Sequence, residues 1–193
     1  MKQLLLRAPL TFTATQGVTL PAQFEGVAYG GGVVPSHGVV IDLASTAVAP
    51  RMPLLHEHLR EAIVGVVATA AISNGNITVS GRLFSDMAGT AAERIGQLAQ
   101  RGAPFQLSVG LYGYNEQMLD AGQAATVNGR TVSGPVSILR RGTVREVSIV
   151  TLGADYESSA RLFTGARPAG SLNLREILAR RRREAAAFCQ DEK

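Results

Sequence analysis

The sequence predicts a mainly β fold of the α+β class, and three features predict it. Short apolar runs are divided by glycine clusters, as in FEGVAYGGG and GVVIDLAS. Turn signals stand between strand-like runs, at Ser73-Asn74-Gly75-Asn76 and at Asn128-Gly129. Only one stretch in the body, Met87 to Gly102, has the periodicity of an amphipathic helix.

Strands are expected from Phe24 onward, divided by the glycine clusters. Ala62 to Ser73 reads as a long extended segment that turns at Asn74-Gly75 into ITVSGRLF, a hairpin signal. In the helical segment Ala91, Ala92, Ile95, Leu98 and Ala99 recur at three and four residues, with Gly102 as a stop. After Pro104, FQLSVGLY alternates: Phe105, Leu107, Val109 and Leu111 share one face, and Gln106, Ser108, Gly110 and Tyr112 the other. Ser108 therefore faces away from the more apolar side. Tyr114 to Ala125 is polar and reads as a loop, ATVNGRTVSG as a compact hairpin, and REVSIVTL as a further strand.

The chain has 193 residues, 46% of them hydrophobic, with 21 Gly and 8 Pro, enough to bury one core and too apolar for disorder throughout. Residues 1–165 are expected to form one domain and residues 166–193 a linker and basic tail. In that tail GARPAGS is the linker, and Leu172, Leu174, Ile177, Leu178 and Ala185 mark a helix carrying Arg180 to Arg183. Arg167 to Lys193 holds seven basic and four acidic residues and so supplies most of the net charge of +4. The body carries no basic stripe interleaved with aromatics and the chain has no Trp, which disfavours nucleic acid as the partner. There is no internal repeat.

Three leucines between Lys2 and Arg7 are too few for a secretory signal. The longest apolar stretch, Ala62 to Ile72, is shorter than the roughly 20 residues of a bilayer span. A soluble intracellular protein without a membrane partner is expected. The single cysteine, Cys189, allows no intramolecular disulfide and no cysteine-based metal site.

Candidate chemistry rests on few residues. His56 and His58 would share a face in an extended segment, and with His37 they make a possible three-ligand zinc site, although no spacing links His37 to the pair. Ser108 is a candidate nucleophile that needs a base and a third group to orient it, and no G-x-S-x-G elbow surrounds it.

The order of LLHEHLREAIVG, FQLSVGLYGY after a helix, and VREVSIVTLGAD resembles the prohead maturation proteases of tailed bacteriophages, themselves distantly similar to the herpesvirus assemblin proteases. The resemblance spans about residues 24–165. It implies a closed or nearly closed β-barrel flanked by helices. It implies His58 as general base, since Ile63 and Gly65 follow it at the family's distance while His56 stands two residues too early. Ser108 in Ser-Val-Gly matches the nucleophile, and Glu146 matches the acidic residue that orients the histidine; the alternative for Glu146 is a surface ion pair with Arg145 or Arg141. Ser148, on the same strand face as Glu146, could line the site but needs no role. The herpesvirus proteases place a Gly-Arg-Arg loop after the third catalytic residue, where this chain has Gly153, Ala154 and Asp155, so the arginines are missing and backbone amides around Gly153 are the candidates for an oxyanion site.

The resemblance thus implies a serine endopeptidase that acts without a cofactor on scaffold and major-capsid-precursor segments, and on itself, inside an assembling procapsid in the host cytoplasm. A homodimer is expected by the same similarity, and the basic tail would engage scaffold or capsid. Two alternatives stay open: a non-enzymatic procapsid assembly or scaffolding protein with the same fold, and a histidine-based metallohydrolase.

Overall fold

The computed structural model describes residues 19–164, so the tail and its expected helix lie outside the described residues. In chain order come β1 (Gln23–Tyr29), β2 (Val39–Ile41), a 3-10 turn (Leu43–Ser45), β3 (Ala47–Val48), β4 (Met52–His56), β5 (Leu59–Ser73) and β6 (Asn76–Leu83). Then follow α1 (Ala91–Gln100), β7 (Gln106–Tyr112), β8 (Asn115–Leu119), β9 (Ala124–Val127), β10 (Arg130–Ser133), β11 (Val136–Arg140), β12 (Thr143–Val150) and β13 (Ser159–Phe163). Among the described residues the fold is mostly β with one α-helix, where flanking helices in the plural were expected. None of these helices is long and apolar enough to cross a membrane.

The hairpin turns form where the backbone is free to take left-handed conformations. Asn74-Gly75 joins β5 to β6 with φ of 52° and 73°, and Asn128-Gly129 joins β9 to β10 with φ of 54° and 77°. Helix α1 begins at Thr90, whose hydroxyl accepts from the Glu93 amide (3.3 Å) while Glu93 reaches back to the Gly89 amide (2.7 Å). It buries Ala92, Ile95 and Gly96, and the chain leaves it through Gly102 at φ 86°. β8 forms within the stretch read as a loop. Of its five residues only Leu119 is buried, so the strand shows no alternation of apolar side chains and is held by backbone pairing to β11.

Eight strands form the main sheet in the order β13-β1-β6-β5-β4-β12-β3, with β7 also paired to β12. β12 runs parallel to β3 and β4 and antiparallel to β7. Among the described residues no sheet is joined into a closed barrel by strand pairing. Edge strand β13 approaches β7, the strand paired to β12 off the main path: the Ala160 amide in β13 donates to the Phe105 carbonyl just before β7, at 3.1 Å.

The core lies against this sheet, where Phe24, Leu54, Ile77, Leu83, Leu107, Val144, Val147 and Ile149 are fully buried. At roughly 1.5–3 kcal/mol for each large side chain taken from water, this cluster dominates the favourable side of folding. A second cluster of Val40, Leu119, Val127, Val132, Val136 and Ile138 lies under the small sheets β2-β11-β8 and β10-β9. β12 is buried on both faces, and its polar residues are therefore placed in the interior.

Candidate active site

β7 and β12 lie side by side, and their register places Ser108 opposite Ser148 and Gly110 opposite Glu146. Directly opposed residues of an antiparallel pair project to the same face, so these four positions form one patch. The alternation expected in β7 is observed: Leu107 is buried in the core with Phe105, Val109 and Leu111 packed against it. A register irregularity between Val144 and Glu146 marks a bulge at Arg145. The bulge turns the face of β12, so that Val144, Val147 and Ile149 all reach the core while Glu146 and Ser148 project to the side of Ser108.

His58 is delivered by a different device. β4 ends at His56 and β5 begins at Leu59, so Glu57 and His58 are the two residues of a hairpin turn, with φ of 51° and 58°. His56 and His58 are thus not in one extended segment, which overturns the shared face expected of them. Left-handed backbone is uncommon for any residue but glycine, and each of the two costs of order 1 kcal/mol there. The turn is held against β12 by three hydrogen bonds. The Glu57 amide donates to Ile149 O (3.2 Å), the Thr151 amide donates to Glu57 Oε1 (2.8 Å), and the His58 amide donates to Ser148 Oγ (3.1 Å).

So anchored, the imidazole meets the buried carboxylate. His58 Nδ1 lies 2.8 Å from Glu146 Oε1, and Ser148 Oγ donates to Glu146 Oε2 at 2.9 Å. The Glu146 side chain is 8% exposed and the His58 side chain 44%. A carboxylate this buried needs partners for both oxygens, and it has them. With Nδ1–H donating to Glu146, Nε2 is left as the basic nitrogen. The hydrogen bond to Glu146 raises the His58 pKa above its ordinary value, burial works against this, and the charges of Glu146 and Glu57 add to the rise. Neither arginine takes the carboxylate: the Arg145 guanidinium stacks over the Tyr112 ring at 5.7 Å, and Arg141 binds Ser45 Oγ through its amide.

Ser108 and His58 line one cleft of about 420 Å³. Its walls are largely apolar, with Tyr29, Ile41, Leu111 and Leu139 among them, and Tyr114 and the strongly exposed Leu152 also line it. The Ser108 hydroxyl has no hydrogen-bond partner among the described residues, so in this state it is not bonded to the imidazole. Catalytic hydrogen bonds are often formed only when substrate closes the site.

The loop after β12 also borders the cleft through Leu152, Ala154 and Asp155. The Gly153 amide donates to Gln106 Oε1 (2.7 Å) and the Thr151 amide to Glu57, so neither is available to an oxyanion, which removes Gly153 itself from that expectation. Asp155 fixes the loop by accepting from the Gly30 and Glu157 amides.

The three histidines do not converge on a metal. His37 lines the cleft and lies 2.8 Å from Ser36 Oγ, while His56 lines a separate cavity of about 550 Å³ beside α1. Among the described residues no group of three or more His, Cys, Asp or Glu side chains is placed to hold a metal ion. What sequence reasoning missed is the Glu57-His58 turn, the part played by Ser148 and the need for glycine at 110. The spacing Glu146-x-Ser148 on a strand was the one available signal.

No family model matches the chain, and no curated protein matches it. Among solved structures, the KSHV protease in complex with a hexapeptide phosphonate inhibitor is similar, with 16% identity, 75% of this chain covered and a TM-score of 0.39. The match covers 66% of that protease's chain, a little less than two thirds.

Proposed function

We propose that this chain is a serine endopeptidase in which Ser108 is the nucleophile, His58 the general base and Glu146 the residue that orients and charges the base. One observation carries the reading: a buried carboxylate on His58 Nδ1 leaves Nε2 as the base in the cleft that Ser108 also lines. Nε2 takes the Ser108 proton as Oγ bonds to the peptide carbonyl carbon, and Glu146 stabilises the imidazolium so formed. The imidazolium then protonates the amine as the C–N bond breaks, and a water molecule, deprotonated by the same nitrogen, releases the acyl group from Ser108.

The substrates we propose are scaffold and major-capsid-precursor segments of a phage procapsid, together with the chain itself, in the host cytoplasm and inside the assembling shell. The ordered motifs around His58, Ser108 and Glu146 support this assignment, and a homodimer belongs to the same reading. The test is co-expression of wild type, Ser108→Ala and His58→Ala with a candidate scaffold and capsid precursor, followed by gel and intact-mass analysis. Processing by wild type alone is expected. Processing by Ser108→Ala overturns the mechanism, and no processing even by wild type turns the reading toward a non-enzymatic assembly protein.

A further inference from the structure

Ser148 is fully buried, yet its hydroxyl is used twice: it donates to Glu146 Oε2 (2.9 Å) and accepts from the His58 amide (3.1 Å). A hydroxyl has one proton and two lone pairs, so this pattern directs the Ser148 O–H at the carboxylate and leaves a lone pair for the amide. The two partners belong to different elements, one in β12 and one in the turn before β5. A single side chain thus ties the backbone of the histidine to the carboxylate that binds its ring.

We infer that Ser148 is a positioning residue: it holds the left-handed His58 turn and the Glu146 carboxylate in one fixed relation, so that Nδ1 stays protonated and Nε2 stays the base. Two features of the site make the tie necessary. His58 occupies left-handed backbone at φ 58°, which a histidine leaves readily unless the surroundings hold it. Glu146 has a second oxygen in a nearly dry environment, and without the Ser148 donor that oxygen is unsatisfied and pulls the carboxylate toward another partner. An untethered imidazole reverts to a mixture of tautomers, in which part of the population carries its proton on Nε2 and offers no base to Ser108.

The inference concerns the site proposed above, and only its turnover arm depends on the peptidase reading. The experiment compares full-length wild type with Ser148→Ala. Nitrogen NMR of the neutral imidazole reads the His58 tautomer, amide hydrogen exchange reads the bond to Ser148, and peptide hydrolysis reads kcat and KM. Wild type is expected to show the Nδ1–H tautomer and slow exchange at the His58 amide. Ser148→Ala is expected to show mixed tautomers, exchange at least about tenfold faster, and kcat reduced roughly tenfold with KM unchanged, the pattern of lost positioning. An unaltered tautomer, exchange rate and kcat in Ser148→Ala overturns the inference. If wild type has no turnover while tautomer and exchange respond as described, the peptidase reading fails and the positioning role stands. Should the alanine variant not fold, Ser148→Cys keeps the side-chain size with a poor donor and acceptor and is read by the same criteria.

Discussion

The Glu146 carboxylate lies over Gly110 of the neighbouring strand, in the space that a β-carbon at position 110 would fill. A buried acid and the absence of a side chain opposite it are therefore one design. The strand that carries Ser108 must leave room for the group that charges His58.

Gly110→Ala consequently displaces the Glu146 carboxylate from His58 while leaving the identity of all three proposed catalytic residues unchanged. Hydrolysis is expected to fall by about a hundredfold, the order of loss from ångström-scale misplacement at a reacting centre. The His58 titration midpoint, followed by NMR, is expected to fall toward its ordinary value as the hydrogen bond that raises it is lost. A glycine variant with full activity and an unmoved midpoint contradicts the arrangement.

Glu146→Gln keeps the shape and removes the charge. The amide can present its NH2 group to Nδ1 and so favour the wrong tautomer, and a loss of about a thousandfold or more in kcat is expected, as for other triads that lose this carboxylate. Steady-state kinetics on a peptide substrate checks the magnitude, and the NMR midpoint of His58 is expected to drop with it.

In the proposed mechanism the raised pKa of His58 contributes to the pH dependence of both activity and stability. Activity requires the neutral imidazole, so the acid limb of the kcat/KM profile is expected to have a midpoint above 6.5, the ordinary histidine value. For stability the sign is opposite. The folded state binds the proton more tightly than the unfolded chain, so this group's contribution is fully present below the unfolded pKa and is lost as pH rises through the folded one. Denaturant titrations across that window are expected to show the pH dependence reduced in His58→Ala.

Asn128 is the stability test away from the cleft. Its side chain accepts from the Leu43 amide (2.9 Å) and donates to the Gly31 (2.9 Å) and Ile41 (2.7 Å) carbonyls, and its own backbone is left-handed at φ 54°. Asn128→Ala strands three backbone groups and places alanine in left-handed backbone, which asparagine tolerates better. A loss of about 2–4 kcal/mol is expected from equilibrium unfolding.

Much of this was legible in the sequence where local chemistry and periodicity agreed. Asn74-Gly75 and Asn128-Gly129 turn where their composition says they do, FQLSVGLY alternates as written, and α1 forms within the periodic segment. β8 was not legible, because an exposed strand held by backbone pairing leaves no pattern in its side chains. The Glu57-His58 turn was hidden for a related reason: its left-handed backbone is held by bonds to β12, some ninety residues away, and not by turn-forming residues. Ser108, His58 and Glu146 were named from motif order. The bulge at Arg145 that directs Glu146, and the double use of Ser148, depend on strand register, which composition does not carry.

The most direct test of the central claim is the reaction of the purified protein with a fluorophosphonate, followed by intact and peptide mass analysis. One adduct on Ser108 is predicted for wild type, none for Ser108→Ala, and a rate reduced at least about a hundredfold for His58→Ala. An adduct that persists in Ser108→Ala, or one whose rate ignores His58, contradicts the account.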